Sequence, residues 1–157
     1  MATTTNAVSS GVYPVYKHTF EIRTGATGSG TSATETYKTI ADMETFSVSI
    51  DNNIEEWTPM TTDGWVRRLK TGRGITISFN GKRCVGDDGN NYIAGLAFKS
   101  GADCASKLKW TFPDGTVVTI PCVINVTSMG GDSTNVDPLE WECLSDGAPD
   151  ITYPSAT

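Results

Sequence analysis

The chain has 157 residues, a length that suits one domain, and we expect 1–157 to fold as a single unit. Serine and threonine together number 36, and the 16 glycines add to a composition that favours strands and turns over helices. The net charge of −6 and the pI of about 4.6 disfavour nucleic-acid binding over the whole surface. No apolar run is long enough to cross a bilayer, and the first residues lack the basic-then-apolar order of a secretory signal. We therefore expect no membrane association and no export through the general secretory pathway.

The cysteines and the histidine argue against a metal site. Cys84, Cys104, Cys122 and Cys143 are widely spaced, and His18 is the only histidine, so the paired ligands of a structural zinc site are missing. Because no export is expected, the sequence favours four reduced thiols; two disulfides are the alternative. His18 occupies an apolar position of its predicted strand and is interpreted as a packed structural residue.

The N-terminal part is predicted to contain an arm, a strand and a loop. Residues 1–11 are expected to be a flexible arm, and alternating apolar residues predict a half-buried strand over 15–23. The stretch 24–36 is rich in Gly, Ser and Thr and is predicted to be a flexible loop. The inward face of the strand would consist of Tyr16, His18, Phe20 and Ile22.

The next segments predict a strand and a hairpin. Phe46, Val48 and Ile50 alternate on one strand face and are predicted to point inward, and the sequence 51–53, Asp-Asn-Asn, is a turn signal. Two further extended runs flank the Thr-Gly-Arg-Gly sequence at 71–74, which indicates a hairpin that turns there.

One helix of about 12 residues is predicted after this hairpin. Asp87 or Asp88 can cap its first turn, Ile93 and Leu96 share a face, and Gly101 can adopt the left-handed conformation at its end.

The remainder is predicted to be strands, ending in a tail at 150–157. Apolar residues alternate in three segments, with a turn at 113–115 after the first of them. About seven strands and one helix predict a mainly β fold, a β-sandwich or partly open barrel with the helix packed on its side. The alternating apolar residues are Leu108, Trp110, Phe112, Val118, Ile120, Cys122, Ile124, Val126, Leu139, Trp141 and Cys143.

No catalytic constellation is apparent in the sequence. His18 has no Gly-x-Ser-x-Gly nucleophile to serve, and Glu140 and Glu142 alternate as on any half-solvated strand. The segment 87–91, Asp-Asp-Gly-Asn-Asn, lacks the ligand order of a calcium loop and is better explained by helix capping. We therefore expect no enzyme activity, no cofactor and no metal.

Aromatic side chains in a polar segment are the first candidate interface. Trp57, Met60 and Trp65 lie in a polar stretch that contains Pro and Gly, and they do not belong to an alternating core strand. Such residues either pack over the edge of a core or contact another molecule.

A cluster of four cations follows directly. Arg67, Arg68, Lys70 and Arg73 allow three interpretations: a solvated hairpin, ion pairing with a neighbouring copy, or contact with DNA. In the second interpretation the partners would be the acidic residues Asp51, Glu55 and Glu56.

Six segments together resemble the tail tube, or major tail, proteins of long-tailed bacteriophages. The resemblance spans about residues 12–150 and depends on the order and spacing of the segments. They are IADMETFSVSID at 40–51, EEWTPM at 55–60, DGWVRR at 63–68, the run 75–83, GDDGNNYIAGLA at 86–97 and PLEWECLSDG at 138–147.

This resemblance implies a β-sandwich with one flanking helix, whose subunits form hexameric rings that stack into a hollow tube. A long hairpin within 40–80 would line the lumen, and the loop 24–36 would reach the adjacent ring. The implied partners are other copies of the chain and the tail-tip, tape-measure and tail-terminator proteins, with double-stranded DNA only as transiting cargo. The implied location is the tail of the virion, after assembly in the cytoplasm of a bacterial host.

Two alternatives remain open. The inner tube of a contractile tail, or of a phage-derived bacteriocin, would share the fold and differ by a sheath encoded elsewhere. A monomeric carbohydrate-binding or adhesion module would instead present coplanar, exposed tryptophan side chains to a glycan.

Overall fold

The computed structural model describes residues 11–27 and 34–154, and the secondary structure of this part is mainly β. The predicted fold class is confirmed, with eight strands in place of about seven and one α-helix in the described part. The elements are β1 Thr19–Thr27, β2 Thr34–Thr39, β3 Met43–Trp57, β4 Arg67–Lys82, α1 Asp88–Ala94, β5 Ala105–Thr111, β6 Val117–Met129, β7 Pro138–Ser145 and β8 Asp150–Thr152.

The strands form one antiparallel sheet in the order β2-β1-β5-β6-β7-β4-β3, with β8 paired to the first residues of β6. The sheet is not closed into a barrel, since β2 and β3 end the order on opposite sides. It folds over on itself, however, because the Phe20 ring of β1 lies 4.8 Å from that of Phe46 on β3 and 4.7 Å from that of Phe79 on β4. The result is a sandwich-like arrangement with the core between its two layers.

The core is apolar and rich in aromatic rings. Trp141 is fully buried and stacks on Phe79, with ring centroids 4.2 Å apart and an interplanar angle of 9°. Its indole N–H donates to the sulfur of Met43 at 3.3 Å, so the one polar atom of this side chain has a partner. Side chains buried to this extent contribute about 1.5–3 kcal/mol each. Other fully buried core residues are Ile22, Ile77, Ile93, Leu108, Ile120 and Leu139.

The alternation predicted for the later strands is confirmed. The even-numbered apolar residues of β6 and the odd-numbered ones of β7 face the core, and Gly115 makes the predicted turn with a φ of 98°. The core-facing side chains of β6 and β7 are Val118, Ile120, Cys122, Ile124, Leu139, Trp141 and Cys143, with Val126 packed against them.

The first strand begins later than predicted. Val15–Lys17 form a 3-10 turn after Pro14, whose carbonyl oxygen accepts a hydrogen bond from the Lys17 N–H at 3.1 Å. This turn takes Tyr16 out of the strand and leaves it exposed, so its predicted inward orientation is wrong. Phe20 is buried as predicted.

The predicted loop 24–36 is partly strand. β1 continues to Thr27 and β2 begins at Thr34, and the two strands pair with a bulge next to Gly25. An ion pair of 3.1 Å between Arg23 and Glu35 connects them. Only 28–33 fall outside the described residues.

The two predicted termini are described in part. Residues 1–10 of the predicted arm and residues 155–157 of the predicted tail lie outside the described residues. The start of the tail is a strand, since β8 pairs with Val117–Thr119 of β6.

The predicted turn at 71–74 is wrong, and so is the turn signal at 51–53. β3 and β4 pass through both segments and pair with each other, with Asn53 opposite Gly72. A Cβ atom on Gly72 would lie 3.1 Å from the Cβ of Asn53, so glycine permits a close approach of the two strands here. The hairpin turn lies instead at 58–66.

The helix is shorter than predicted. Asp87 caps α1, and its carboxylate accepts the Asn90 N–H at 2.9 Å, which confirms the capping prediction. After Ala94 the Leu96 N–H bonds to the Ile93 carbonyl, three residues back, so the backbone tightens into turns instead of continuing the α-helix. Gly101 has a φ of 65° but begins a later 3-10 turn, so its predicted role at the helix end is wrong.

Asn90 fixes α1 against the end of β4. It is fully buried; its side-chain oxygen accepts the Cys84 N–H, and its side-chain N–H donates to the carbonyls of Ala41 and Lys82. The Arg83 guanidinium donates to the same oxygen at 2.9 Å. The Asp-Asp-Gly-Asn-Asn segment therefore acts as a structural connection between the helix and the sheet.

All four cysteines are free thiols, as predicted. Cys122 and Cys143 lie buried side by side on neighbouring strands. The hydrogen bond with Cys122, together with burial, raises the pKa of the Cys143 thiol far above its usual range. Such a protonated, buried thiol is a poor nucleophile and functions here as a core residue.

Candidate assembly surface

The β3–β4 hairpin extends beyond the sheet. β7 pairs with β4 only from Thr76 to Lys82, so residues 67–75 of β4 pair with β3 alone. We call the two-stranded part with its turn, residues 50–75, the hairpin ribbon. Its paired strands project about 25 Å at the usual rise per residue.

The hairpin ribbon exposes large apolar side chains. Met60 is 93% exposed, Trp65 is 79% exposed and Trp57 is 43% exposed. An isolated two-stranded ribbon is marginally stable in water, and a run of exposed apolar residues marks an interaction surface. Ile50, Ile54, Val66 and Leu69 complete the exposed apolar set. The predicted inward orientation of Ile50 is therefore wrong, because this residue lies on the two-stranded part of the hairpin.

The turn of the hairpin ribbon holds its aromatic residue in a defined position. The Thr62 hydroxyl lies 3.0 Å from the Pro59 carbonyl oxygen and 2.7 Å from that of Trp65, and the Trp65 N–H donates to the Thr62 carbonyl at 3.0 Å. Asp63 and Gly64 adopt positive φ angles of 51° and 88°. These contacts order the backbone while the Trp65 indole faces outward.

Two of the four predicted cations have partners on the ribbon itself. Arg68 forms an ion pair of 2.6 Å with Glu56 of the same chain, whereas one of the three interpretations of the sequence placed the acidic partner on a neighbouring copy. The Arg67 guanidinium lies over the Trp57 ring, 5.6 Å from its centroid. Among the described residues, no carboxylate lies within ion-pair distance of Lys70.

A bulge divides the charges between the two faces of the hairpin ribbon. Asn53 pairs with Gly72 but Ile54 pairs with Lys70, so Thr71 is an extra residue on β4. Side chains at paired positions share a face, and the extra residue reverses the alternation beyond it. One face therefore carries Glu56, Arg68, Lys70 and Arg73, and the other carries Asp51, Glu55, Trp57 and Arg67.

The predicted acidic set is thus split by the fold. Glu56 lies with the cations, whereas Asp51 and Glu55 lie on the opposite face. Sequence reasoning also missed Ile54 and Leu69 as exposed apolar residues of the ribbon. The signal available for Ile54 was its even spacing from Ile50, which the apparent turn at 51–53 concealed.

The outer edge of the hairpin ribbon is unpaired within the described residues. β3 is the last strand of the sheet, and within the described part of the chain no strand pairs with its other side. An edge of this length presents unpaired backbone N–H and C=O groups that favour pairing with another chain.

His18 lies in the sandwich, away from the ribbon, and is packed as predicted. Its Nδ1 atom accepts the indole N–H of Trp110 at 3.0 Å, and the rings of Phe46 and Phe112 lie 5.3 and 5.5 Å away. Burial lowers the pKa of this imidazole, and the Asp114 carboxylate opposes that shift. The described residues hold no cluster of three His, Cys, Asp or Glu side chains able to bind a metal ion.

No helix of the described part has the length and apolar character needed to span a membrane.

Comparisons with known proteins show the fold. No protein family matches the chain, and no curated protein matches it. A chain in the virion of a native gene transfer agent particle is 18% identical, with a TM-score of 0.67, over 90% of this chain and 99% of that one. A chain in the tail of an empty gene transfer agent particle, computed with C6 symmetry, is 21% identical with the same TM-score and coverage.

A third similar structure comes from a contractile machine. A chain of the extended-state sheath/tube terminator of an extracellular contractile injection system is 11% identical, with a TM-score of 0.58, over 92% of this chain and 99% of that one. The chain therefore has a fold found in tail assemblies, and the likeness covers nearly the whole length of each similar chain.

Proposed function

We propose that this chain is the structural subunit of a phage-type tail tube, in which six copies form a ring and rings stack into a conduit for DNA. The hairpin ribbon carries this proposal. It extends beyond the sheet, exposes large apolar residues such as Ile54 and Trp65, and has an edge that no described strand pairs with. None of these features suits an isolated monomer in water.

A closed ring explains the free edge and the exposed apolar residues together. In cyclic assembly, each ribbon edge meets the neighbouring copy, and no edge is left open. A similar chain of 21% identity occurs in a gene transfer agent tail computed with C6 symmetry, which supports six as the number of copies.

The charge of one sheet face supports passage of DNA without binding. Glu140 pairs with Asn80 and Glu142 with Ser78, so both glutamates share the outer face of β7 and β4. Asp51 lies on the same face farther along the hairpin. Because carboxylates repel phosphates, a lumen lined by this face would let DNA pass freely.

The proposed role is structural, with no chemistry assigned to any side chain. The proposed partners are further copies of the chain, together with tail-tip, tape-measure and tail-terminator proteins, and DNA only in transit. The proposed location is the tail of the virion, after assembly in the cytoplasm of a bacterial host. The inner tube of a contractile tail would use the same fold, so binding of a sheath protein distinguishes the two.

Negative-stain electron microscopy of the concentrated protein, with its mass from light scattering, tests the proposal. We expect six-fold rings or hollow tubes from the natural chain. Trp65→Ala should leave a folded subunit with wild-type circular dichroism that assembles at least tenfold less, since interface tryptophans often dominate association energy. Phe98→Ala is the matched control, because Phe98 is 94% exposed but lies outside the hairpin ribbon.

Three results would argue against the proposal. Equal losses in Trp65→Ala and Phe98→Ala would remove the ribbon as the assembly surface. A monomer that does not polymerise even with tail-tip components would contradict the tube, and glycan binding by that monomer would favour the adhesion module.

A further inference from the structure

One face of the hairpin ribbon carries more positive charge than its partners within the chain neutralise. Arg68, Lys70 and Arg73 share this face because of the bulge at Thr71, and we call the three residues the basic face. Only Arg68 has an ion-pair partner among the described residues. Ile54, which pairs with Lys70, adds exposed apolar surface to the same face.

The end of the chain has the opposite character. Residues 110–157 contain no lysine or arginine, and the loop 130–137 between β6 and β7 carries Asp132 and Asp137. We call residues 130–137 the acidic loop. Its residues are exposed, and Val136 adds apolar surface beside the two carboxylates.

The basic face and the acidic loop lie at opposite ends of one strand. β4 runs from Arg67, beside the hairpin turn, to Lys82, which pairs with Pro138 directly after the acidic loop. A strand of this length spans about 50 Å. The two surfaces are therefore held apart within one chain, but copies stacked in the same orientation would bring them together.

Resting on the tube proposed above, we propose that the basic face of one copy binds the acidic loop of a second copy in the adjacent ring. The contact is head-to-tail and leaves a free surface of each kind at the two ends, so it propagates along an axis. Opposite charges across such a contact set its orientation and register, and like charges there would oppose it strongly.

Charge reversal at one position on each surface tests the contact. Lys70→Glu and Asp132→Lys each place like charges across it, and neither side chain has an ion-pair partner among the described residues. Each variant of the full chain should associate on the order of tenfold more weakly in sedimentation velocity, at low salt. A one-to-one mixture of the two variants should recover wild-type association, because alternating copies restore an opposite-charge pair at every contact.

The matched control is Asp103→Lys, which makes the same charge change at an exposed site outside the acidic loop. It should neither weaken association nor rescue Lys70→Glu. Six-fold rings that stack equally well in all variants, or a mixture that fails to recover, would overturn the head-to-tail contact and leave the ring intact. A natural chain that remains monomeric at every concentration would overturn both proposals.

Discussion

The body of the sheet and the hairpin ribbon contain isoleucines with the same spacing along a strand, but these side chains are buried in the body and exposed on the ribbon. On β6, Ile120 and Ile124 lie four residues apart on one strand face and are buried, whereas on β3, Ile50 and Ile54 have the same spacing and are exposed. The exposure differs because β6 packs against the second layer of the sandwich, whereas no second layer packs on the ribbon among the described residues. The spacing of apolar residues therefore identifies a strand face without showing what packs against it, and the proposal above assigns a second copy of the chain to the face of the ribbon.

The largest expected difference in stability between the two regions comes from replacing one tryptophan in each. Trp141→Ala should destabilise the fold by about 3–5 kcal/mol, because it removes a fully buried ring stacked on Phe79. Trp65→Ala should change the free energy of unfolding by less than about 0.5 kcal/mol, since its indole is exposed. Urea denaturation of dilute protein measures both, and similar losses in the two variants would show that the ribbon belongs to the core.

The body was predictable from the sequence because local pattern and burial agree there. Alternation on β6 and β7 identified the core-facing residues, and the tight turn at Gly115 had the composition of a turn. The ribbon was less predictable, because Gly72 and the Asp-Asn-Asn segment have the composition of turns but lie within paired strands. Their pairing joins residues about 20 positions apart, and no local signal encodes that register.

The candidate assembly surface was predictable only in part. The polar, Pro- and Gly-containing context correctly indicated that Trp57 and Trp65 are not core residues. The division of charges between two faces was not predictable, because it depends on one extra residue at Thr71. Without that bulge, Lys70 and Arg73 would point to opposite sides of the ribbon.

Removing an ion-paired glutamate from each region should change the free energy of unfolding less than the replacement of Trp141 does. In the body, Glu35 accepts from Lys107 at 2.7 Å, Tyr37 at 2.7 Å and Arg23 at 3.1 Å, which connects β2 to β1 and β5. These bonds, that from Lys107 first, lower the pKa of Glu35 to about 2. Glu35→Gln should cost about 1 kcal/mol at pH 7, whereas Glu56→Gln, on the ribbon, should cost less than about 0.5 kcal/mol.

The pH dependence of unfolding separates these two variants further. Because the folded pKa of Glu35 lies below the unfolded value, its contribution is present above about pH 4.5 and is lost as the pH falls toward 2. Thermal unfolding at pH 7 and pH 3 should therefore show the penalty of Glu35→Gln shrinking with acid. A penalty that is equal at both pH values would mean that packing, not charge, holds β2 in place.

The smallest expected effect concerns His18, the only histidine of the chain. Its Nδ1 atom accepts the Trp110 N–H, so the neutral ring is the form that the fold binds, and burial lowers the pKa of the imidazole. The unfolded chain takes up this proton more readily, so stability is fully present above pH 6.5 and decreases as the pH falls through 6.5. The single histidine ring resonance should titrate below that value, and His18→Asn should flatten the stability profile between pH 7.5 and 5.5. A ring that titrates above 6.5 would mean that the Asp114 carboxylate outweighs burial, and the histidine would then stabilise the body in its charged form.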